Sequence, residues 1–183
     1  DVQTFTFEVS LGARPGQFGM IWLPGVDEVP MCIAYDDGKQ LKITFFAVGD
    51  MTKELAKKKE GDLVGLRGPF GTNYEWKKGQ KLALLAGGYG AAPMYFTAHE
   101  AVKNGCDVHV FVGARSKDHL LYIDELGSLK GVTLHVATDD GSEGYKGYNV
   151  NQLSEMLEGG ENFDELLACG PEMMLKAVSG ISS

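Results

Sequence analysis

Residues 82–93 read Leu82-Ala83-Leu84-Leu85-Ala86-Gly87-Gly88-Tyr89-Gly90-Ala91-Ala92-Pro93, and this stretch decides the fold. A short apolar run stops at paired glycines, and a segment of helical composition runs from Pro93 to residue 103. Proline suits the first turn of a helix, where its missing N–H has no partner to lose. The stretch therefore predicts a strand over 82–86, a glycine turn and a helix over 93–103. Glycines let a backbone come close to a diphosphate, and a helix N-terminus offers free N–H groups and the positive end of a dipole. The same glycines would also serve a tight strand-to-helix turn that binds nothing.

Downstream the rhythm repeats. Strands are expected over 108–112, 133–137 and 165–168, with helices near 123–126 and over 151–157 and 171–178. Strands alternating with helices imply a parallel sheet with right-handed crossovers. Two more glycine-marked segments follow strands, Thr138-Asp139-Asp140-Gly141 and Cys169-Gly170-Pro171-Glu172. In an open parallel sheet ligands bind outside the carboxyl ends of the strands, so three turns should converge on one crevice. One feature departs from a Rossmann fingerprint, which places an acid about 20 residues on, at the end of the second strand. Here that strand runs into Gly113-Ala114-Arg115-Ser116-Lys117.

Upstream the period is different. Residues 4–9, 18–23, 41–46 and 63–66 read as strands, Asp37-Gly38 marks a hairpin, and only 52–59 looks helical. Several short strands separated by turns suggest a small antiparallel β-barrel over residues 1–77. An α/β domain follows over 78–183, with the boundary in Lys77-Lys78-Gly79-Gln80.

Composition narrows the function classes. The net charge is −8, and the basic run Lys57-Lys58-Lys59 is neutralised by Glu54, Glu60 and Asp62, which argues against nucleic acid as a partner. No run approaches the ~18 apolar residues of a membrane span. Cys32, Cys106 and Cys169 are too widely spaced for a disulfide framework or a metal site, so no metal ligands are expected and a reducing cytoplasm is the simplest home. The chain opens without Met in a strand-like segment, which suggests that residues precede it.

Taken together, Pro15-Gly16-Gln17-Phe18, Pro30-Met31-Cys32-Ile33, Gly49 to Thr52, Gly68-Pro69-Phe70-Gly71, the 87–93 turn and Cys169-Gly170-Pro171 resemble the ferredoxin reductase family. Residues 113–118, 138–141 and 169–174 are most similar to the electron-transfer subunits of dihydroorotate dehydrogenases. The resemblance implies a barrel that holds FAD and an α/β domain that holds NAD. Pro30, Met31, Cys32 and Ile33 would then lie along the isoalloxazine, with Gly49 and Thr52 near the ribityl or phosphate. Gly68, Gly71 and Thr72 would support the flavin from a second side. Gly88, Gly90, Ala91 and Pro93 would shape the diphosphate turn, and Asp139 and Asp140 would line the crevice. Cys169, with Gly170, Pro171, Glu172 and Met173, would lie beside the nicotinamide as a positioning residue. The implied partner is a catalytic dehydrogenase subunit of pyrimidine biosynthesis. Small subunits of sulfhydrogenases and ferredoxin–NADP oxidoreductases share much of the pattern, and a regulatory subunit that has lost its flavin is a third reading.

The departures from that pattern are specific. Val29 stands where the family carries an arginine for the FAD diphosphate, and Phe45 and Phe46 occupy the place of a second. Cys32 replaces the usual serine. The four-thiolate cluster of a [2Fe–2S] centre would require chain beyond Ser183. Arg115 and Lys117 could accept a 2′-phosphate, which keeps NADP open beside NAD.

Overall fold

The computed structural model describes residues 2–181 and divides into two compact units, one ending at Tyr74 and the next starting at Glu75. The first is built from β1 (Val2–Phe7), β2 (Phe18–Leu23), β3 (Asp27–Asp36), β4 (Leu41–Phe46), the short helix α1 (Asp50–Leu55) and β5 (Gly65–Phe70). All ladders are antiparallel, in the order β1-β4-β3-β2-β5. Strand β3 serves two ladders. Residues 27–32 pair with β2, and the chain from Ile33 pairs with β4 across a register shift between Ile33 and Tyr35. A strand that changes partner at such an irregularity bends its sheet, which is how small antiparallel barrels curve.

Alternation then decides what is covered. Leu41, Ile43 and Phe45 of β4 are buried, as are Met31 and Ile33 of β3, while Pro30 and Cys32 between them face out. Buried Asp36 organises the loop before β2, accepting hydrogen bonds from Ser10 Oγ at 2.6 Å and from the N–H groups of Leu11 and Ala13 at 3.0 Å. The hairpin expected at Asp37-Gly38 joins β3 to β4, with Gly38 at a φ of 87°.

Two element boundaries differ from expectation, each for its own reason. The last strand of this unit covers Gly65–Phe70 rather than 63–66, so it includes Pro69. Proline is tolerated there because β5 is an edge strand and needs no ladder N–H on its outer side. Pro30 likewise lies in the half of β3 that pairs on one side only. The helix starts at Asp50 rather than Thr52, because the Thr52 hydroxyl caps its first turn.

The second unit runs β6 (Lys81–Gly87), α2 (Ala91–Lys103), β7 (Asp107–Ala114), α3 (Ile123–Ser128), β8 (Val132–Thr138), β9 (Tyr145–Lys146), α4 (Asn149–Glu158), β10 (Glu165–Cys169) and α5 (Glu172–Ile181). Its five strands are all parallel, ordered β10-β6-β7-β8-β9. Residues 82–86 of β6 are fully buried, as expected of a central parallel strand with helices on both faces. Helices α2 and α3 pack together, as do α4 and α5. Ala83, Leu85 and Phe111 meet Val150 and Leu153 of α4 and Val178 of α5 in one apolar cluster. Strand β9, only two residues long, carries too little pattern to be read from sequence.

Candidate functional site

The strand order locates the site. Successive crossovers carry the chain from β6 outward through β7 to β8, whereas β10 returns to the opposite side of β6. The sheet therefore reverses direction between β6 and β10, and the crevice at such a switch point is where open α/β sheets bind ligands. Both glycine turns expected from sequence leave the sheet there. Ala86 lies beside Cys169 in the ladder, so residues 87–90 and 169–171 emerge side by side.

Close approach of these two turns explains most of their glycines. A Cβ on Gly90 would fall on the carbonyl oxygen of Cys169, and a Cβ on Gly170 would lie 3.0 Å from the Gly87 backbone. At Gly87 a Cβ would meet Met174 Sδ and Pro171 Cδ, both at 2.8 Å. Gly88 is different. It adopts a φ of 51°, and a Cβ there would meet no atom within 4 Å. Of the four glycines in the two turns, this one leaves its space on the open side, as a turn cradling a diphosphate requires. The turn passes through a single 3₁₀ turn (Gly88–Gly90) into α2, whose first residues Ala91, Ala92 and Pro93 are all buried. No acidic side chain stands in that first helical turn to oppose a phosphate.

Asn149, which the sequence reading did not single out, holds this end of the sheet together. It is only 3% exposed. Its side-chain Nδ2 donates to the Ala86 carbonyl at 3.0 Å and to the Phe111 carbonyl at 2.9 Å. Gly113 makes room for it, since a Cβ there would lie 2.8 Å from Asn149 Cγ. The backbone carbonyl of Cys169 packs on Gly90. Met173 is 75% exposed, and its neighbour Met174 packs under Gly87 and Gly170 instead. Pro171 and Glu172 are exposed, and Glu172 pairs with Lys176 at 2.7 Å.

The third turn is tied to the end of β7. Asp139 and Asp140 donate their N–H groups to the carbonyls of Ala114 and Arg115, at 3.0 and 3.2 Å. Ser142 accepts from the Lys117 N–H at 2.8 Å, and Lys117 Nζ pairs with Glu143 at 2.9 Å. Hydrogen bonds from Ser142 hold the Asp140 carboxyl below its usual range, and the Glu143 carboxylate raises Lys117. Arg115 is exposed and has no carboxylate partner among the described residues. The most perturbed imidazoles lie elsewhere. His109 and His135 hydrogen-bond at 3.0 Å on the face of the sheet where His135 stacks on Phe111, and burial lowers both pKa values.

Comparison with known proteins decides the assignment. The family model described as oxidoreductase NAD-binding domain matches residues 84–180. A protein of Methanocaldococcus jannaschii, named "Probable dihydroorotate dehydrogenase B (NAD(+)), electron transfer subunit", is 40% identical over 182 residues, covering 100% of this chain and 68% of the relative. A Thermococcus kodakarensis protein of the same name is 41% identical over 178 residues, covering 97% of this chain and 72% of its own. This chain belongs to the ferredoxin reductase family.

Solved structures share the fold. The structure of an NADH-dependent reduced ferredoxin-NADP oxidoreductase superposes with a TM-score of 0.87 at 32% identity, covering 100% of this chain and 67% of that one. The cytochrome b5 reductase domain of Ulva prolifera nitrate reductase shares the fold at a TM-score of 0.77 and 20% identity, over 96% of this chain and 84% of its own.

The first unit fits the flavin of a ferredoxin reductase in part. Exposed Pro30 and Cys32 offer one face of β3, so a ring laid along this strand meets those two side chains and only the backbone of Met31 and Ile33. Gly71, at a φ of 81°, closes on the Phe18 ring, and Gln17 Nε2 donates to its carbonyl at 3.0 Å. Gly68, joined to Pro69 by a cis peptide, packs on the Phe18 carbonyl, and Thr72 is exposed beside this turn. The phosphate end is less well supplied. Thr52 Oγ1 accepts from the N–H groups of Val48 and Gly49 and donates to the Gly49 carbonyl, so its hydroxyl is saturated within the turn. Phe45 is buried against Phe5, with ring centroids 5.1 Å apart, so neither it nor Val29 brings a cation to this segment. The N–H groups of Val48 and Gly49 are likewise taken up inside this turn. In the second unit the fit to a dinucleotide is fuller, resting on the open side of Gly88 and the acid-free start of α2.

Proposed function

We propose that this chain is the electron-transfer subunit of a dihydroorotate dehydrogenase, passing electrons between NAD(H) and a catalytic partner subunit through FAD. The observation that carries this reading is the similarity to such subunits across both units, together with a nucleotide crevice at the switch point. Bound together, the two cofactors supply hydride transfer and the division of an electron pair into single electrons. The chain's own work is positional. Gly88 and Gly90 shape the diphosphate turn, Asn149 fixes the strand ends beneath it, and Met174 fills the space under Gly87 and Gly170. Pro30 and Cys32 meet the flavin edge, Gly49 and Thr52 form the turn near the ribityl or phosphate, and Gly68, Gly71 and Thr72 support the ring from β5 and the turn that follows it. No proton need be moved by a side chain, and Cys169 is a positioning residue.

With Val29, Phe45 and Phe46 at the places of the two arginines of the family pattern, FAD is retained less tightly than in relatives that carry them, since charge-assisted hydrogen bonds are roughly twice as strong as neutral ones. The three cysteines give no four-thiolate set, and an iron–sulfur centre, where the full protein carries one, draws on chain past Ser183. A second reading, a subunit serving a ferredoxin–NADP reaction, is favoured by the structural likeness at 32% identity.

Reconstitution separates the two. Full-length protein loaded with FAD and mixed with a dihydroorotate-oxidising catalytic subunit is expected to co-elute with it. Oxidation of dihydroorotate then becomes coupled to NAD+ reduction, which neither component supports alone. Absence of both the complex and the coupled activity would discard the dihydroorotate assignment and favour the second reading.

A further inference from the structure

One pair of titratable side chains lies away from the crevice yet is packed onto a residue that shapes it. His109 and Phe111 of β7 and His135 of β8 project onto the sheet face covered by α4 and α5, with His135 in register beside Phe111. His109 Nδ1 and His135 Nε2 share a hydrogen bond at 3.0 Å, and the two rings stack with centroids 5.3 Å apart. His135 lies flat on Phe111 at 4.3 Å, and Phe163 packs edge-on against His109 at 5.1 Å. Phe111 is fully buried, and its backbone carbonyl is one of the two that Asn149 holds at this end of the sheet. The other belongs to Ala86, the residue before Gly87. A packed path thus runs from the imidazole pair through Phe111 and Asn149 to the diphosphate turn.

We propose that the His109–His135 pair is a proton-operated clasp that positions the diphosphate turn, closed while the imidazoles are neutral and opened when they take up protons. It acts through Phe111 and Asn149, and the inference rests on the nucleotide-binding reading above. A neutral pair suits the site, since one ring donates and the other accepts. When both are protonated, each facing nitrogen carries an N–H, so the hydrogen bond is lost and like charges meet in a partly desolvated place. The rings then part, and Phe111 loses its stacking partner. Surrounding charges do not remove this conflict. Asp107 Oδ1 of β7 lies 3.7 Å from His109 Nε2, and Glu161, before β10, adds a second carboxylate, but Lys81 of β6 is paired with Glu161 and opposes both. On α4 Glu155 is bound by the Tyr145 hydroxyl and Glu158 is exposed, while on α5 Glu172 and Lys176 pair with each other. Asp164 accepts from the Lys81 N–H, and Glu165 of β10 and Lys130, just before β8, are exposed. Burial prevails, so both imidazoles are held below the ordinary histidine value, with His109 pressing His135 down further. An unfolded histidine protonates near pH ~6.5, so the clasp's contribution is intact above that pH and is lost as the pH falls towards the lower folded values.

The test reads binding rather than turnover, with NAD+ titrated calorimetrically into the full-length protein from about pH 8 down to about pH 5.5, a range that spans the histidine transition. Wild-type affinity is expected to fall about fivefold across that range, with protons released on binding at its acid end. Glutamine can hydrogen-bond but takes up no proton, so the double variant His109→Gln with His135→Gln is expected to hold one affinity throughout. His135→Leu removes the hydrogen bond outright and is expected to bind at the weak, acid-range level at every pH. The proposal is overturned if wild-type affinity does not change with pH, if the fall persists in the double glutamine variant, or if His135→Leu binds as wild type does at neutral pH. Where the double variant does not fold, the ring-proton shifts of wild type decide. Transitions of His109 and His135 that NAD+ moves to lower pH support the clasp, and transitions that NAD+ leaves in place overturn it. Failure of wild type to bind NAD+ at any pH would instead remove the nucleotide site itself, and the inference with it.

Discussion

Gly90→Ala destabilises the second unit by about 3 kcal/mol or more and abolishes dinucleotide binding, whereas Gly88→Ala leaves the unit folded but still weakens binding. The contrast follows from what each added methyl meets. At Gly90 the backbone is ordinary helical, with a φ of −61°, so strain is not the issue. The new Cβ would fall on the Cys169 carbonyl, and a backbone atom in a β-ladder cannot turn aside as a flexible side chain can. The end of β10 must move away from β6, and overpacking of this kind costs about 1–3 kcal/mol, occasionally more. The separation also opens the crevice that the two turns form together. At Gly88 nothing opposes the methyl, and the cost is that of the left-handed conformation, about 1–2 kcal/mol. That methyl projects into the side of the turn left open for a ligand. Urea melts and NAD+ titrations of both variants check this, and equal losses of stability would show that the two glycines do not have these separate roles.

Asn149→Leu is expected to lower stability by about 2–3 kcal/mol, because it keeps much of the volume while removing both N–H donors from two buried carbonyls. For a unit of this size that is roughly 10 °C in the midpoint of thermal unfolding. Asn149→Asp makes the stricter comparison. It preserves shape and places a carboxylate against the Ala86 and Phe111 carbonyls, so it is expected to be at least as damaging and to worsen as the carboxyl ionises. Both variants should lose NAD+ affinity along with stability, since the Ala86 carbonyl immediately precedes the diphosphate turn. Calorimetric melts are the check. Changes below about 0.5 kcal/mol in both variants, the range of ordinary surface substitutions, would mean that Asn149 does not clamp the strand ends.

These residues also show what a sequence can and cannot disclose. The turn at 87–90, the hairpin at Asp37-Gly38 and the change of period near residue 77 are local signals, written within a few residues by glycine geometry and by strand and helix patterns. They were sufficient for the two-part fold and for the two glycine turns that leave the sheet side by side after β6 and β10. Asn149 acts on partners 63 and 38 residues away, so no local pattern marks it, although those partners lie in strands that the sequence does disclose. The position of β10 beside β6 is a fact of strand order, which alternation of elements does not specify. The Lys117–Glu143 pair depends on how the loop after β8 folds back. Thr52 shows the opposite failure. Its position matches the family pattern, yet its hydroxyl is consumed by its own turn.

The central claim is that this chain carries electrons from a nicotinamide nucleotide to a flavin, and one titration addresses it directly. Full-length protein is incubated with FAD, freed of excess, and titrated with NADH under anaerobic conditions while the visible flavin band is followed. The account predicts a bound flavin that bleaches with one equivalent of NADH, and far less readily with NADPH. A protein that takes up no FAD, or whose bound flavin keeps its band in the presence of NADH, would contradict the account and leave a nucleotide-binding regulatory subunit in its place.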